Sequence, residues 1–92
     1  MRKAMSVEFS GKSAFNHETF GITFEAIVDG NRVLCQINME ALQDIDPSNA
    51  MNEPMEQFKA NEYLFQEIAE ALILGGKVQN GQIFISSNDI NT

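Results

Sequence analysis

The stretch FEAIVDGNRVLCQINMEAL, residues 24 to 42, constrains the fold more than any other part of the chain. Ile22, Phe24, Ala26 and Val28 share one side of an extended segment, and Asp29-Gly30 follows at once. Asp and Gly tolerate the positive φ that a tight hairpin turn requires. Val33, Cys35 and Ile37 then share one side of a return strand. Turning at Asp29-Gly30 pairs Phe24 with Cys35 and Ala26 with Val33. A loop two residues longer pairs Val28 with Val33 and Phe24 with Ile37. Both registers keep the apolar set on one face, so the ribbon has a defined core side and Cys35 points into it. Asn38 follows as a good N-cap, since its side-chain oxygen can accept a free N–H of the first helical turn. Glu40 suits the positive end of that helix. A short helix from Met39 to about Asp44 is predicted, ended by Asp46-Pro47.

The flanks supply the rest of the architecture. Ser6 to Phe9 alternates and predicts a first strand, while residues 10 to 19, SGKSAFNHET, predict a loop. Asn52 can cap a second helix with Pro54 in its first turn. That helix is expected to run unbroken from about Glu53 to Leu74. Met55, Phe58, Phe65, Ile68, Ala69 and Leu72 fall on one arc, with Glu56, Tyr63, Glu67 and Glu70 opposite. Gly75-Gly76 stops it. Asn80-Gly81 marks a turn, and Gln82 to Ser86 a last strand. The predicted fold is α+β, two layers, in the order β-β-β-α-α-β. Its sheet is expected to be antiparallel, with the helices packed on one face. One domain spanning residues 1–92 is expected, frayed at about 1–5 and 87–92.

Composition narrows the function classes. Thirteen acidic against six basic residues, two of these at positions 2 and 3, leave no basic patch. Nucleic-acid binding relies on Lys and Arg displacing counterions, so no nucleic acid is expected. Anionic membranes would repel the same surface. The longest aliphatic run, Ala71 to Leu74, is far short of the ~20 residues a membrane span needs. MRKAM has no apolar run behind it and does not read as a secretory signal. A single cysteine permits no internal disulfide, which fits a cytoplasmic setting.

Beyond these patterns, the central stretch resembles the bacterial domain-of-unknown-function family 1488. The VEF start, the Phe15-Asn16 pair, PMEQFKANEYLFQEIAEALILGG and the closing GQIFISSND extend the resemblance over nearly the whole chain. It implies a compact α+β domain of about this length. It implies no activity, cofactor or catalytic residue.

Motifs of chemistry are weak. His17, the single histidine, stands beside Glu18 in the expected loop; a solvated residue explains it better than a proton shuttle. Cys35 would need a neighbouring cation or base to act as a nucleophile, and mid-strand on the core side it reads as a small hydrophobe. Asp44, Asp46 and Ser48 have the spacing of the first ligands of a calcium loop, but Asn49 stands where Gly is needed and Met55 where Glu is needed. Gly75-Gly76-Lys77 lacks the first Gly and the Ser/Thr of a phosphate loop. No cofactor or metal is expected. Asn61 and Glu62 are the oddest polar pair, lying in or beside the apolar arc of the long helix. They are the weak candidates for an acid, a base or a ligand contact, together with His17.

Ile27, Leu34 and Phe84 point away from the core side, where an open face is normally polar. They could form a contact surface, or lie under the 10–21 loop with Phe15 or Phe20 as a lid. The leading expectation is a non-enzymatic module that binds a protein partner, or itself as a homo-oligomer, through those three residues. The alternatives are a small enzyme or ligand-binding domain using Asn61, Glu62 and His17, and an acidic regulator of a basic partner through Glu56, Glu67 and Glu70.

Overall fold

The computed structural model describes residues 6–49 and 51–90. Its elements are β1 (Val7–Phe15), β2 (Ile22–Val28), β3 (Asn31–Ile37), α1 (Met39–Ile45), a single 3₁₀ turn (Pro47–Asn49), α2 (Pro54–Ala60), α3 (Glu62–Leu74), β4 (Gln82–Ile85) and α4 (Ser87–Ile90). The four strands lie in the order β1-β2-β3-β4. Fold class and the one-sided helical layer agree with the sequence, but five details differ.

The hairpin takes the shorter register. Phe24 pairs with Cys35, Ala26 with Val33 and Val28 with Asn31. Asp29 at φ 50° and Gly30 at φ 85° form the two-residue turn, and its twist matches that of the flanking strands. Asn38 caps α1 as expected: its Oδ1 accepts the Ala41 N–H at 2.8 Å.

The sheet is mixed, not antiparallel, because β4 runs parallel to β3, with Cys35 opposite Ile83 and Ile37 opposite Ile85. The reason is the odd number of long passes between them. The chain leaves β3 beside α1, and α2 with α3 then forms one return traverse. Ile73 and Gly76 at the end of α3 share a cleft with Asp29 and Asn31 of the hairpin turn. The chain is thus delivered to the starting end of β3, and the next strand must run alongside it. Parallel neighbours require such a crossover.

β1 extends to Phe15, so much of the expected 10–19 loop is strand. Phe9 pairs with Ala26 and Ser13 with Phe24, so Ser10, Gly11 and Lys12 bulge opposite Glu25. Gly11 at φ 88° supplies the conformation that the bulge needs. The bulge holds two extra residues, so Ser13 and Phe15 keep the parity of Val7 and Phe9, and the alternation lapses only at Gly11.

The long helix is broken at Asn61, whose backbone sits at φ −126°, ψ 19°. Its side-chain Nδ2 donates to the Gln57 carbonyl at 3.1 Å, the partner its own N–H would have in an unbroken helix. That N–H bonds Phe58 O instead, at 3.0 Å. Asn competes with the backbone in this way by side-chain hydrogen bonding. α2 is entered at Glu53, not through an Asn52 cap, with Pro54 in its first turn. α3 ends as the glycine pair predicts: Gly76 at φ 77° donates to Ile73 O, and Lys77 N donates to Leu72 O. Finally, residues 87–90 form α4 where fraying was expected. Asp89 Oδ2 accepts the Ser86 N–H at 2.9 Å and holds the turn. The frayed ends expected at 1–5 and 91–92 lie outside the described residues.

Helices and sheet meet in one core. Phe58, Phe65, Cys35, Ile83, Ala26 and Ile22 are fully buried, and Phe24 is 3% exposed. The Phe58 ring packs tilted on Phe24 at 5.2 Å and stacks on Phe65 at 6.0 Å. Each such side chain contributes on the order of 1.5–3 kcal/mol when removed from water.

Candidate interaction surface

The other face of the sheet carries no helix among the described residues. Strand register assigns its side chains to rungs. Glu8, Ile27 and Arg32 form one; the bulge, Glu25, Leu34 and Gln82 the next; Ala14, Thr23, Gln36 and Phe84 the third. Ile27, Leu34 and Phe84 therefore run diagonally, one strand across per rung. Ile27 and Leu34 are half-buried and Phe84 is 62% exposed. Residues 10–15 are strand beside β2, so the alternative of a 10–21 loop folded as a lid over these three side chains does not occur. Phe15 joins the helix-side core instead, and Phe20 is 58% exposed at φ 62°.

Polar groups flanking the stripe pair with one another. Arg32 Nε donates to Glu25 Oε2 at 2.5 Å. A hydrogen bond from Ser10, the Arg32 guanidinium and the Lys12 charge hold the Glu25 carboxyl below the usual carboxylate range, against the opposing effect of its burial. At the far end, Thr23 Oγ1 donates to Gln36 Oε1, and Gln36 Nε2 donates to Gln82 Oε1 at 2.9 Å. Asn16 Nδ2 reaches the same Gln36 oxygen at 3.5 Å. A cleft of ≈ 470 Å³ opens there, between the 16–19 turn and Phe84, with Gln36 and Gln82 in its lining. On the strands of this face Glu8 and Glu25 balance Lys12 and Arg32, with Glu18 at the turn beside the cleft. The helical layer differs: residues 39–77 carry eight acidic side chains against Lys59 and Lys77.

None of the weak candidates lines this cleft. Asn61 ties α2 to α3, and Glu62 faces Lys59 at 3.9 Å, one helical turn back. His17 lies in the β1–β2 turn, its ring edge-on to Phe15 at 4.9 Å. Asn61 and Glu62 meet only as chain neighbours. Burial pushes the Cys35 thiol up to about 12, far from a reactive thiolate. Ser48 Oγ donates to Asp46 Oδ1 at 2.6 Å, so the acidic run closes on itself as a local turn. Among the described residues, no three His, Cys, Asp or Glu side chains gather as metal ligands would. No described helix is long and apolar enough to cross a membrane.

Sequence reasoning missed Gln36, Gln82, Thr23 and Asn16. The parity of Thr23 and Gln36 gave an available signal, since both alternate with core residues and must face outward together. Gln82 gave none, because only the parallel placement of β4 sets it beside Gln36.

Searches of curated proteins and of solved structures returned no match. The family model described as "Protein of unknown function (DUF1488)" matches residues 7–85. That span reaches from the first residue of β1 to the last of β4, taking in the whole sheet and the three helices that cover it, and the chain belongs to the DUF1488 family.

Proposed function

We propose that this chain is a non-catalytic module that associates with a second copy of itself through the uncovered sheet face. The observation that carries the reading is the diagonal stripe Ile27, Leu34, Phe84 on a face where Arg32 pairs with Glu25 and Gln36 with Thr23 and Gln82. A partner meeting that face strips water from apolar side chains and leaves few hydrogen bonds unmade. Charge favours a like copy there. At net −7 two copies repel each other, most strongly through their helical layers, and least where Glu8 and Glu25 face Lys12 and Arg32.

The sheet edges are poorer docking sites. On β4 the Gln82 N–H and carbonyl both bond Gln79, at 3.0 and 2.9 Å, and the Ser86 N–H is held by Asp89. On β1 the bulge interrupts the free edge, a common defence against strand addition. Four strands about 4.8 Å apart and about six residues long offer roughly 400 Å² per copy. A stable interface uses ~800 Å² per partner, so the expected product is a weak, concentration-dependent dimer.

Sedimentation equilibrium over a wide concentration range tests this. A reversible dimer is expected, strengthened by salt because screening relieves the net repulsion. Leu34→Glu and Phe84→Lys should each leave a folded monomer. A wild-type monomer at the highest concentrations would end the proposal. So would a dimer that both variants leave intact.

A further inference from the structure

We infer that the cleft beside Phe84 is a binding site for an uncharged amide group, held through the side-chain N–H groups of Gln82. The inference shares Phe84 with the apolar stripe but does not rest on dimerisation. Its basis is the direction of the amide relay. The backbone N–H groups of Glu18 and Thr19 both donate to Asn16 Oδ1, at 2.9 and 3.3 Å. Backbone nitrogens can only donate, so that atom is the oxygen and Asn16 presents its Nδ2 to Gln36. The atom Gln36 turns to Asn16 and to Thr23 must then be its oxygen. Its Nε2 is left to donate to Gln82, and Gln82 in turn must receive with Oε1. The two backbone N–H groups fix the orientation of Asn16, and its contact with Gln36 carries that direction on to Gln82.

The relay ends in Gln82, a residue of the cleft lining, whose Nε2 carries two N–H donors. The occupant must therefore bring an acceptor oxygen. Among the described residues no Lys or Arg lines this cleft, and Glu18 does. A phosphate or carboxylate would meet a carboxylate and no cation, so the acceptor is neutral. The Phe84 ring, 62% exposed in the wall, offers a flat apolar surface on which a planar amide can stack. The cleft falls within the ~300–1,000 Å³ range of ligand sites. An uncharged carbonyl with a planar substituent meets all three conditions, whether it comes from a small free amide or from a peptide backbone.

The test is an NMR titration of the full chain with two probes, N-methylacetamide and the blocked peptide acetyl-Ala-Ala-Ala-N-methylamide. Saturable shifts are expected in the Gln82 side-chain N–H signals and around Phe84. Tighter binding of the peptide assigns the site to chain segments, and equal binding per amide assigns it to small amides. Gln82→Glu is the decisive variant. Its carboxylate can still accept from Gln36 Nε2, so the inner bond survives, but it faces the cleft as an acceptor and affinity should fall roughly tenfold or more. Gln82→Leu, which removes the donors without adding charge, should show the same loss. The site is overturned if the probes shift residues elsewhere, if Gln82→Glu binds them as well as wild type, or if inorganic phosphate saturates the same signals.

Discussion

On the helix side of the sheet, Phe24, Cys35 and Ile83 form one rung with 3%, 0% and 0% exposure, beneath Phe58 and Phe65. On the opposite side the adjacent rung is Glu25, Leu34 and Gln82, with no helix over it among the described residues. One backbone ladder therefore serves two solvents. Facing the helices, stability comes from excluded water and close packing, and the buried Gln57 is tied by a backbone bond, its Nε2 donating to the Asn52 carbonyl at 2.7 Å. Facing outward, stability comes from side chains that satisfy each other across strands: Arg32 with Glu25, Thr23 with Gln36, Gln36 with Gln82. The difference teaches that a sheet face can be apolar enough to bind and still be stable alone. Its polar groups must be paired within the chain, and its apolar groups confined to a stripe.

The sharpest way to break the comparison is one substitution made on either side. Phe58→Ala removes a ring with no exposure that packs between Phe24 and Phe65, and it should cost about 3–5 kcal/mol in denaturant unfolding. Phe84→Ala removes the same ring from the outer face and should cost no more than about 0.5 kcal/mol in the monomer. Equal losses would mean that the outer ring is structural, and the contact surface would lose its argument.

The central ribbon was the most legible region because three local signals coincide there: period-two alternation, a turn that demands positive φ, and a cap. Hence Phe24 and Cys35 were placed correctly from parity alone. What escaped was whatever depended on a non-local partner or on one residue overriding a pattern. Asn61 breaks a helix that its apolar arc carries straight through, because its own side chain takes the Gln57 carbonyl. Gly11 lets β1 bulge and then continue in the same phase, so Ser13 and Phe15 extend the core-facing set beyond a stretch that reads as loop. The direction of β4 is set by where α3 delivers the chain, which no residue of QIFI encodes. Of the outer face, the apolar stripe was readable from parity. The amide relay was not, since half of it arrives with β4.

Gly21 probes the seam between the two sides at a smaller scale. It sits between the 16–19 turn and β2, and a Cβ there would fall onto the Ile37 carbonyl oxygen of β3. Gly21→Ala should therefore displace backbone and cost about 1–3 kcal/mol. It should also perturb the Asn16 N–H, which donates to the Gly21 carbonyl at 2.9 Å. An unchanged unfolding midpoint would show that the strands separate more easily than their ladder suggests.

The smallest expected effect belongs to the outer face alone and is set by pH. Glu25 has its folded-state ionisation lowered by Ser10, Arg32 and Lys12. A carboxyl whose folded value is depressed contributes stability that is complete above its unfolded value, near ~4.3, and is lost as pH falls through the lower folded one. The contribution should thus be constant through neutral pH and fade only below about pH 4. The Arg32 side chain is 67% exposed, so solvent screening keeps the effect small. Glu25→Gln should flatten the acid limb of the stability profile, Arg32→Met should flatten it only in part because Ser10 and Lys12 remain, and adding Arg32→Met to Glu25→Gln should change it little. Phe58→Ala should lower the whole profile without changing its acid limb. If it altered that limb, the two faces would be coupled through the β2–β3 ladder and not independent as their packing implies.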